Sequence, residues 1–234
     1  MLDNIFRKSH WKDPRNNCWC KSKHNNFLGH FLHGLKLKSY EFNKYKPVIH
    51  PSSFVHKEAT IIGNVIIGEN VYIGPGAAIR GDWGQIIIED GCNVQENCTI
   101  HMFPGTTVKL KNDAHIGHGA VIHGATIEKN CLIGMNSVIM DDVIIGEESI
   151  IGALSFVPAK TEIPRRSLAI GNPIKIIKKV SDKMIDWKTK GTKLYQSLPQ
   201  ECYSSLKETD PLREIEENRP SQEQMYTTWK SINQ

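Results

Sequence analysis

Three histidines lie close together in the segment HIGHGAVIHG, residues 115–124: His115, His118 and His123. A fourth histidine, His101, precedes them. Imidazole is a common ligand of Zn²⁺, Fe²⁺ and Co²⁺, and it is the side chain that most readily exchanges a proton near neutral pH. Whether these rings can share one ion depends on the elements that carry them.

Aliphatic residues recur every six residues through most of the chain. Short insertions after Ile79 and Ile100 and a contraction near His123 interrupt this repeat without ending it. A period of six matches neither a helix nor a simple alternating strand, and it indicates a chain that turns a corner every six residues. The sequence therefore predicts a β-solenoid. Its inward positions are Val55, Ile61, Ile67, Ile73, Ile79, Ile88, Val94, Ile100, Leu110, Ile116, Ile122, Ile127, Ile133, Ile139, Ile145, Ile151, Val157 and Ile163.

The hexapeptide repeat resembles that of the left-handed parallel β-helix, an all-β fold in which three hexads form one triangular coil. The handedness is implied by this resemblance. Eighteen hexads then predict about six coils within residues 47–173, followed by a C-terminal α-helical region, residues 174–208, and a polar tail, residues 209–234. The helix is predicted to have Ser181 as its N-cap and to pack along a solenoid face through a stripe of Leu194, Leu198, Cys202 and Leu206. Cys92, Cys98 and Cys131 fall at inward positions, where small core residues are expected rather than redox or zinc thiols.

The coil geometry predicts which polar residues meet. Equal positions three hexads apart stack at about 4.8 Å, so Arg80, His101 and His123 share one column. His118 lies on the neighbouring face, above Glu96, and cannot join that column within one chain. In a trimer packed about a threefold axis, His118 of one subunit can reach the two stacked histidines of the next. We therefore predict an interfacial three-histidine site, three per trimer, with the open coordination position typical of catalytic zinc.

Several segments resemble a known family. IRGDWG, NVQENCTIH and HIGHGAVIHG are similar to the signature segments of γ-class carbonic anhydrases and their hexapeptide-repeat relatives. HPSSFVH, GMNSVIMDD, GNPIK and TKLYQSL resemble the branch of phenylacetic acid degradation protein PaaY and carnitine operon protein CaiE. The resemblance covers roughly residues 47–206 and implies that His101, His118 and His123 hold Zn²⁺, with Fe²⁺ or Co²⁺ as alternatives.

The same resemblance implies roles for five further residues. Gln95 matches the side chain that hydrogen-bonds a metal-bound hydroxide, and Asn93 matches its neighbour. Arg80 and Asp82 match a pair that bridges subunits beside the metal. Glu96 matches an acidic position of the motif. His115, which stacks on Asn93, is expected to lie outside the ligand set.

The implied reaction is attack of the hydroxide on CO2 or on an acyl-CoA thioester, in an accessory role in phenylacetate or carnitine-type catabolism. The most active γ-type enzymes carry a proton-shuttle glutamate in an acidic loop. Residues 101–108, HMFPGTTV, contain no carboxylate, and DWGQIII has only Asp82. Rapid CO2 hydration is therefore not expected.

Two alternatives belong to other functional classes. A CoA-dependent hexapeptide acyltransferase would use a lone histidine rather than a ligand triad, and basic residues near the end of the solenoid could meet the CoA phosphates. Those residues are Arg165, Arg166, Lys175, Lys178 and Lys179. A non-catalytic trimer would use the metal only to hold its subunits together.

Charge divides the chain unequally. Residues 1–46 carry a net charge of +7 and the remainder −3, so the segment 1–46 is predicted to be a basic, disordered extension. The rest offers no basic surface for nucleic acid, and no apolar run is long enough to cross a membrane. Six cysteines without a secretory signal favour a reduced, cytoplasmic protein. The interfacial site predicts a homotrimer, and the implied reaction predicts a small-molecule substrate.

Overall fold

The computed structural model describes residues 37–232, which form a parallel β-solenoid of about seven turns followed by a long helix. Within this range lie the strands β1 (Lys38–Tyr40), β2 (Val48–Ile49), β3 (Phe54–Val55), β4 (Thr60–Ile67), β5 (Tyr72–Ile73), β6 (Ala78–Ile88), β7 (Asn93–Val94), β8 (Thr99–His101), β9 (Thr107–Leu110) and β10 (His115–Ile116). They continue with β11 (Val121–His123), β12 (Thr126–Ile127), β13 (Leu132–Ile133), β14 (Val138–Ile139), β15 (Ile144–Ile145), β16 (Ile150–Ile151), β17 (Phe156–Val157), β18 (Glu162–Ile163), β19 (Ser167–Ile170) and β20 (Lys175–Lys179). The helices are α1 (Asp182–Ser205) and α2 (Trp229–Ile232).

The strands stack in three columns, one for each face of the solenoid. Strands β4 and β6 run through a corner and so join two faces into one sheet of 12 strands. The third face is an 8-stranded sheet in the order β20-β19-β16-β13-β10-β7-β5-β3. All neighbours in these columns pair in parallel except β19 and β20. This architecture confirms the predicted left-handed β-helix with a C-terminal helix.

The solenoid is about one turn longer than the six coils predicted. Ile49 lies six residues before Val55, and Ala169 lies six residues after Ile163, so the repeat extends beyond the first and last predicted inward positions but stays within residues 47–173. Strand β1 adds a further strand beside β4 although its three residues are exposed and follow no apolar repeat. Residues 1–36 of the predicted extension lie outside the described residues, whereas β1 lies within its remaining part.

The core is a column of aliphatic side chains along the solenoid axis. All the predicted inward residues except Val55 are buried, and Val55 packs against the core. Burying each Ile side chain contributes about 1.5–3 kcal/mol. Cys92, Cys98 and Cys131 are buried free thiols in this column, as predicted.

Helix α1 lies against the third face and begins where predicted, with Ser181 accepting a hydrogen bond from the Met184 amide. Its buried face differs from the expected stripe of Leu194, Leu198, Cys202 and Leu206. Lys188 and Thr192 are buried instead, and Leu206 is exposed beyond the helix end. None of the helices in the described part of the chain is long and apolar enough to span a membrane.

The face of α1 that packs on the solenoid is polar because the solenoid corners beneath it present backbone and amide oxygens. The Lys188 ammonium donates to the Asp113 carbonyl and to Asn130 Oδ1, both at 2.6 Å. Gln196 Nε2 donates to the Gly91 carbonyl at 2.9 Å. Desolvation lowers the pKa of Lys188 to about 8. Leucines at these positions would leave the corner oxygens without donors.

Strand β20 closes the C-terminal end of the third face. It pairs antiparallel with β19, within the region predicted to be helical, and all five of its residues are exposed. Three of them are Lys175, Lys178 and Lys179.

Candidate metal centre

His101 and His123 lie at equal positions on adjacent strands, β8 and β11, as the repeat predicts. Their ring centroids are 5.4 Å apart. Two imidazoles that bind one Zn²⁺ place their ligand nitrogens roughly 3.3 Å apart, which rings stacked at this distance can reach. The solenoid column therefore supplies two candidate ligands to one point.

Carboxylates hold two of the three candidate ligands by the same nitrogen. His123 Nδ1 contacts Asp141 Oδ1 at 2.6 Å, and His118 Nδ1 contacts Glu96 Oε2. Glu96 also accepts a hydrogen bond from the Tyr72 hydroxyl at 3.2 Å. A carboxylate on one ring nitrogen fixes the ring and leaves the other nitrogen to bind an ion, which is the usual arrangement around metal-bound histidines.

His118 lies in the corner between β10 and β11, away from the other two histidines. Its side chain is 47% exposed. Gly119 follows with φ of +70°, a conformation that lets the chain turn the corner directly after His118. Within residues 37–232, no three His, Cys, Asp or Glu side chains converge to hold an ion. His101, His118 and His123 can therefore share one ion only if His118 comes from a second chain.

Arg80 and Asp82 flank His101 on the preceding turn. Asp82 Oδ1 lies 2.8 Å from His101 Nε2, while Asp82 Oδ2 accepts from Arg80 Nη1 at 3.2 Å. Arg80 Nη2 is also 3.2 Å from the same histidine nitrogen. Gly81 between them is required, because a Cβ there would lie 2.5 Å from the Asn64 carbonyl oxygen. The three polar groups form one compact cluster.

Gln95 and Asn93 lie on the third face and are both buried. Gln95 Nε2 donates to Asn93 Oδ1 at 2.9 Å and lies 2.6 Å from His115 Nε2. Asn93 Nδ2 is buried and, among the described residues, has no hydrogen-bond partner. Desolvation, followed by the positive charge of Lys188, lowers the pKa of His115 to about 3, so this ring is neutral at physiological pH.

Two aromatic side chains border the stacked histidines. The Trp83 ring lies 5.2 Å from His101, and the Phe103 ring lies 5.0 Å from His123. Both aromatic residues are more than half exposed. The approach to the histidine pair is thus partly apolar.

The donor set fits a divalent ion with imidazole preference. His118 and His123 each keep Nε2 as the nitrogen not held by a carboxylate. His101 differs, since Asp82 contacts its Nε2 rather than its Nδ1. A ligand role for that nitrogen requires Asp82 to release it and to keep its contact with Arg80.

Three residues of this network were not foreseen from the sequence. Asp141 lies one coil beyond His123 but one position past Met140, the residue that the repeat stacks on His123, so the count alone does not select it. Tyr72 stands one coil before Asn93 and is adjacent to the column of Glu96. Thr192 of α1 contacts His115 at 3.3 Å. It belongs to no hexapeptide repeat, so the repeat could not identify it.

Comparisons with known proteins agree with this architecture. The family described as Bacterial transferase hexapeptide (six repeats) matches residues 46–81 and 124–159. Carnitine operon protein CaiE of Escherichia coli O157:H7 is 49% identical over 181 residues, which are 77% of this chain and 92% of that protein. Among solved structures, a candidate acetyltransferase of Bacillus cereus, the product of gene BC4754, is similar with a TM-score of 0.70 and 36% identity, over 71% of this chain and 96% of the other. A hexapeptide transferase family protein from Anaplasma phagocytophilum has a TM-score of 0.67 and 27% identity, over 70% and 96%.

This chain belongs to the CaiE family of hexapeptide-repeat proteins. The identity to CaiE extends over nearly the whole of that protein. The family resemblance predicted from the sequence is thereby confirmed.

Proposed function

We propose that this chain is a metal-dependent enzyme of the γ-carbonic anhydrase type, acting at the subunit interfaces of a homotrimer. One observation carries the proposal: His101 and His123 stack on adjacent strands, and carboxylates brace both His123 and the corner residue His118. A carboxylate on one ring nitrogen, with the other nitrogen left available, is the usual arrangement of metal-bound histidines. A second subunit would contribute His118 to the pair.

The proposed ion is Zn²⁺, with Fe²⁺ or Co²⁺ as alternatives, since all three accept imidazole ligands. A divalent ion bound there lowers the pKa of a bound water and polarises a carbonyl oxygen. Gln95 would orient the attacking group by hydrogen bonding, with Asn93 as its support. Arg80 would hold Asp82 when His101 is engaged as a ligand.

The proposed substrate is an acyl-CoA thioester or CO2, hydrolysed or hydrated by the same site. Among the carboxylates beside the histidines, Glu96 and Asp141 are each engaged with a histidine and Asp82 is paired with Arg80, so none of the three is available to carry protons outward. The exposed rings of Trp83 and Phe103 favour an apolar acyl group. Because the relative is a carnitine operon protein, we place the activity in carnitine-type catabolism, with phenylacetate degradation as the alternative.

A cytoplasmic location belongs to the same proposal. Cys92, Cys98, Cys131 and Cys202 are free thiols, which suits a reducing compartment.

Acyl transfer from CoA is the second candidate, because the Bacillus cereus relative is described as a candidate acetyltransferase. The basic residues expected to meet CoA phosphates are partly committed elsewhere. Arg166 pairs with Glu148 at 2.6 Å and with Asp182 at 2.8 Å. The lysines of β20 remain exposed and could still contact phosphate.

The deciding experiment measures metal content and solution mass on anaerobically purified protein, for the wild type, His118→Ala and the control His56→Ala. The wild type is expected to hold about one ion per chain, as a three-ligand site shared between subunits requires. The same preparations are then assayed for hydration of CO2 and hydrolysis of acyl-CoA thioesters.

The outcomes separate the candidates. Loss of metal and of turnover in His118→Ala, but not in His56→Ala, supports the proposal. A metal-free wild type that acetylates an amine or hydroxyl acceptor from acetyl-CoA would favour the transferase. Loss of the trimer on chelation, with no substrate turned over by the loaded protein, would indicate a structural metal only.

A further inference from the structure

A line of polar side chains, buried except for the partly buried His115, joins helix α1 to Gln95. The Thr192 hydroxyl donates to the Lys188 carbonyl at 3.2 Å, and His115 Nδ1 lies 3.3 Å from the Thr192 oxygen. The opposite nitrogen, His115 Nε2, lies 2.6 Å from Gln95 Nε2. Gln95 Nε2 also donates to Asn93 Oδ1. Thr192 and Gln95 are each only 2% exposed, so water does not compete for these contacts.

The donors and acceptors available along this line determine which group donates in each of its hydrogen bonds. An amide nitrogen only donates, so His115 Nε2 must accept the hydrogen bond from Gln95. The single proton of the neutral ring then resides on Nδ1 and donates to the Thr192 oxygen. The Thr192 hydroxyl in turn donates its hydrogen bond to the Lys188 carbonyl of α1. Every member therefore donates toward α1.

This direction has a consequence for Gln95. Both hydrogens of its side-chain nitrogen are committed, one to Asn93 and one to His115. Its oxygen is left as the acceptor. With the opposite direction, His115 would carry its proton on Nε2, and Gln95 would present its nitrogen instead.

We propose that His115 and Thr192 are positioning residues that fix the Gln95 amide with its oxygen presented to the candidate metal centre. The inference rests on the proposed role of Gln95 at that centre. It makes α1 a part of the site, although Thr192 follows His115 by 77 residues. Asn93 Nδ2, the buried donor without a partner in the described chain, lies at the far end of the same line and offers a bound molecule a second hydrogen bond.

The first test reads the imidazole tautomer directly. Zinc-loaded full-length protein, labelled with ¹⁵N-histidine, is examined by long-range ¹H–¹⁵N correlation NMR, and His115→Phe assigns the His115 signals. The expected result is the neutral Nδ1–H tautomer in the wild type and in Thr192→Ser, and loss of that tautomer in Thr192→Val. Thr189→Val removes another hydroxyl from the same helix and is expected to leave the tautomer as it is. An Nε2–H tautomer in the wild type, or no change in Thr192→Val, would overturn the proposal.

The second test separates positioning from folding. Thr192→Val and His115→Phe are expected to lower kcat by about 10- to 100-fold, as loss of an outer hydrogen bond does, with KM and bound metal within about twofold of the wild type. His115→Gln, which can present an acceptor to Gln95, is expected to recover part of the rate. Equal kcat in Thr192→Val and Thr189→Val would contradict the role. If the loaded wild type turns over neither substrate, the proposed function fails, while the tautomer measurement still decides the direction of the line.

Discussion

His123 and Asp141 are joined by a 2.6 Å contact between Nδ1 and a carboxylate oxygen, one coil apart on the solenoid. The contact leaves Nε2 of the ring to face an ion. Replacing Asp141 by Asn keeps the shape and removes the charge, so metal affinity is expected to fall by about 10- to 100-fold. Competitive titration with a zinc chelator measures the change. The neighbouring Asp142→Asn, at an exposed corner, is the matched control, and equal affinities in the two variants would show that the carboxylate does not support the ligand.

The division of ligands between subunits predicts complementation. His118→Ala and His123→Ala should each bind no metal at the site. Co-expressed and purified as mixed trimers, they should regain about one third of the sites, because one of the three interfaces in every mixed trimer combines the two intact halves. Metal content of doubly tagged trimers measures the recovery. Mixing His101→Ala with His123→Ala, which damage the same half, is expected to recover none. Equal results for both mixtures would place the site within one chain.

The side chains that border the stacked histidines are apolar, so we expect CO2 hydration to be slow for lack of a proton acceptor. A carboxylate introduced at this border should raise the rate. Phe103 is 55% exposed and its ring contacts His123 at 5.0 Å, so a Glu there tolerates its charge and lies beside the site. Phe103→Glu is expected to raise CO2 hydration by up to roughly 100-fold, the lower end of general acid–base assistance. Stopped-flow assays in weak buffer measure it. Phe103→Gln is the uncharged control, and a gain of the same size in both variants would contradict proton transfer.

The low pKa of His115 predicts a loss of stability in acid. Its pKa is about 3 in the folded chain, below the ordinary value of 6.5, so the unfolded chain binds a proton first as the pH falls. The contribution of the neutral His115 ring to the free energy of unfolding is fully present above pH 6.5. It falls by up to about 1.4 kcal/mol per pH unit toward pH 3. Urea unfolding at fixed protein concentration should show a shallower decline for His115→Phe than for the wild type and for His56→Ala. Parallel declines would mean that His115 does not remain neutral in the folded protein.

The sequence predicted the solenoid well because each coil repeats one physical requirement. An aliphatic side chain must fill the axis every six residues, and this fixes which residues stack. The register of His101 with His123 and of His115 with Asn93 follows directly from that count. The contact between His118 and Glu96 follows in the same way.

Features outside the repeat could not be predicted in this way. Strand β1 pairs through its backbone, with one ion pair between Lys38 and Glu58, and buries no apolar side chain. The packed face of α1 is polar because Lys188 and Gln196 satisfy oxygens at the corners, whereas a search for apolar periodicity selects Leu194 and Leu198. The direction of the line from Gln95 to Thr192 depends on where the helix lies.

Strand β20 also bears on how copies of this chain can meet. A parallel solenoid is a sheet with an open end, and an open end invites another copy to continue the stack. Here the last strand reverses direction and presents Lys175, Lys178 and Lys179, so an incoming strand meets an exposed row of lysines. A head-to-tail fibre needs both ends of every copy, and one blocked end is enough to prevent it. Strand β20 thus opposes growth along the axis at the third face, and side-by-side closure about a symmetry axis is an assembly route that it leaves free.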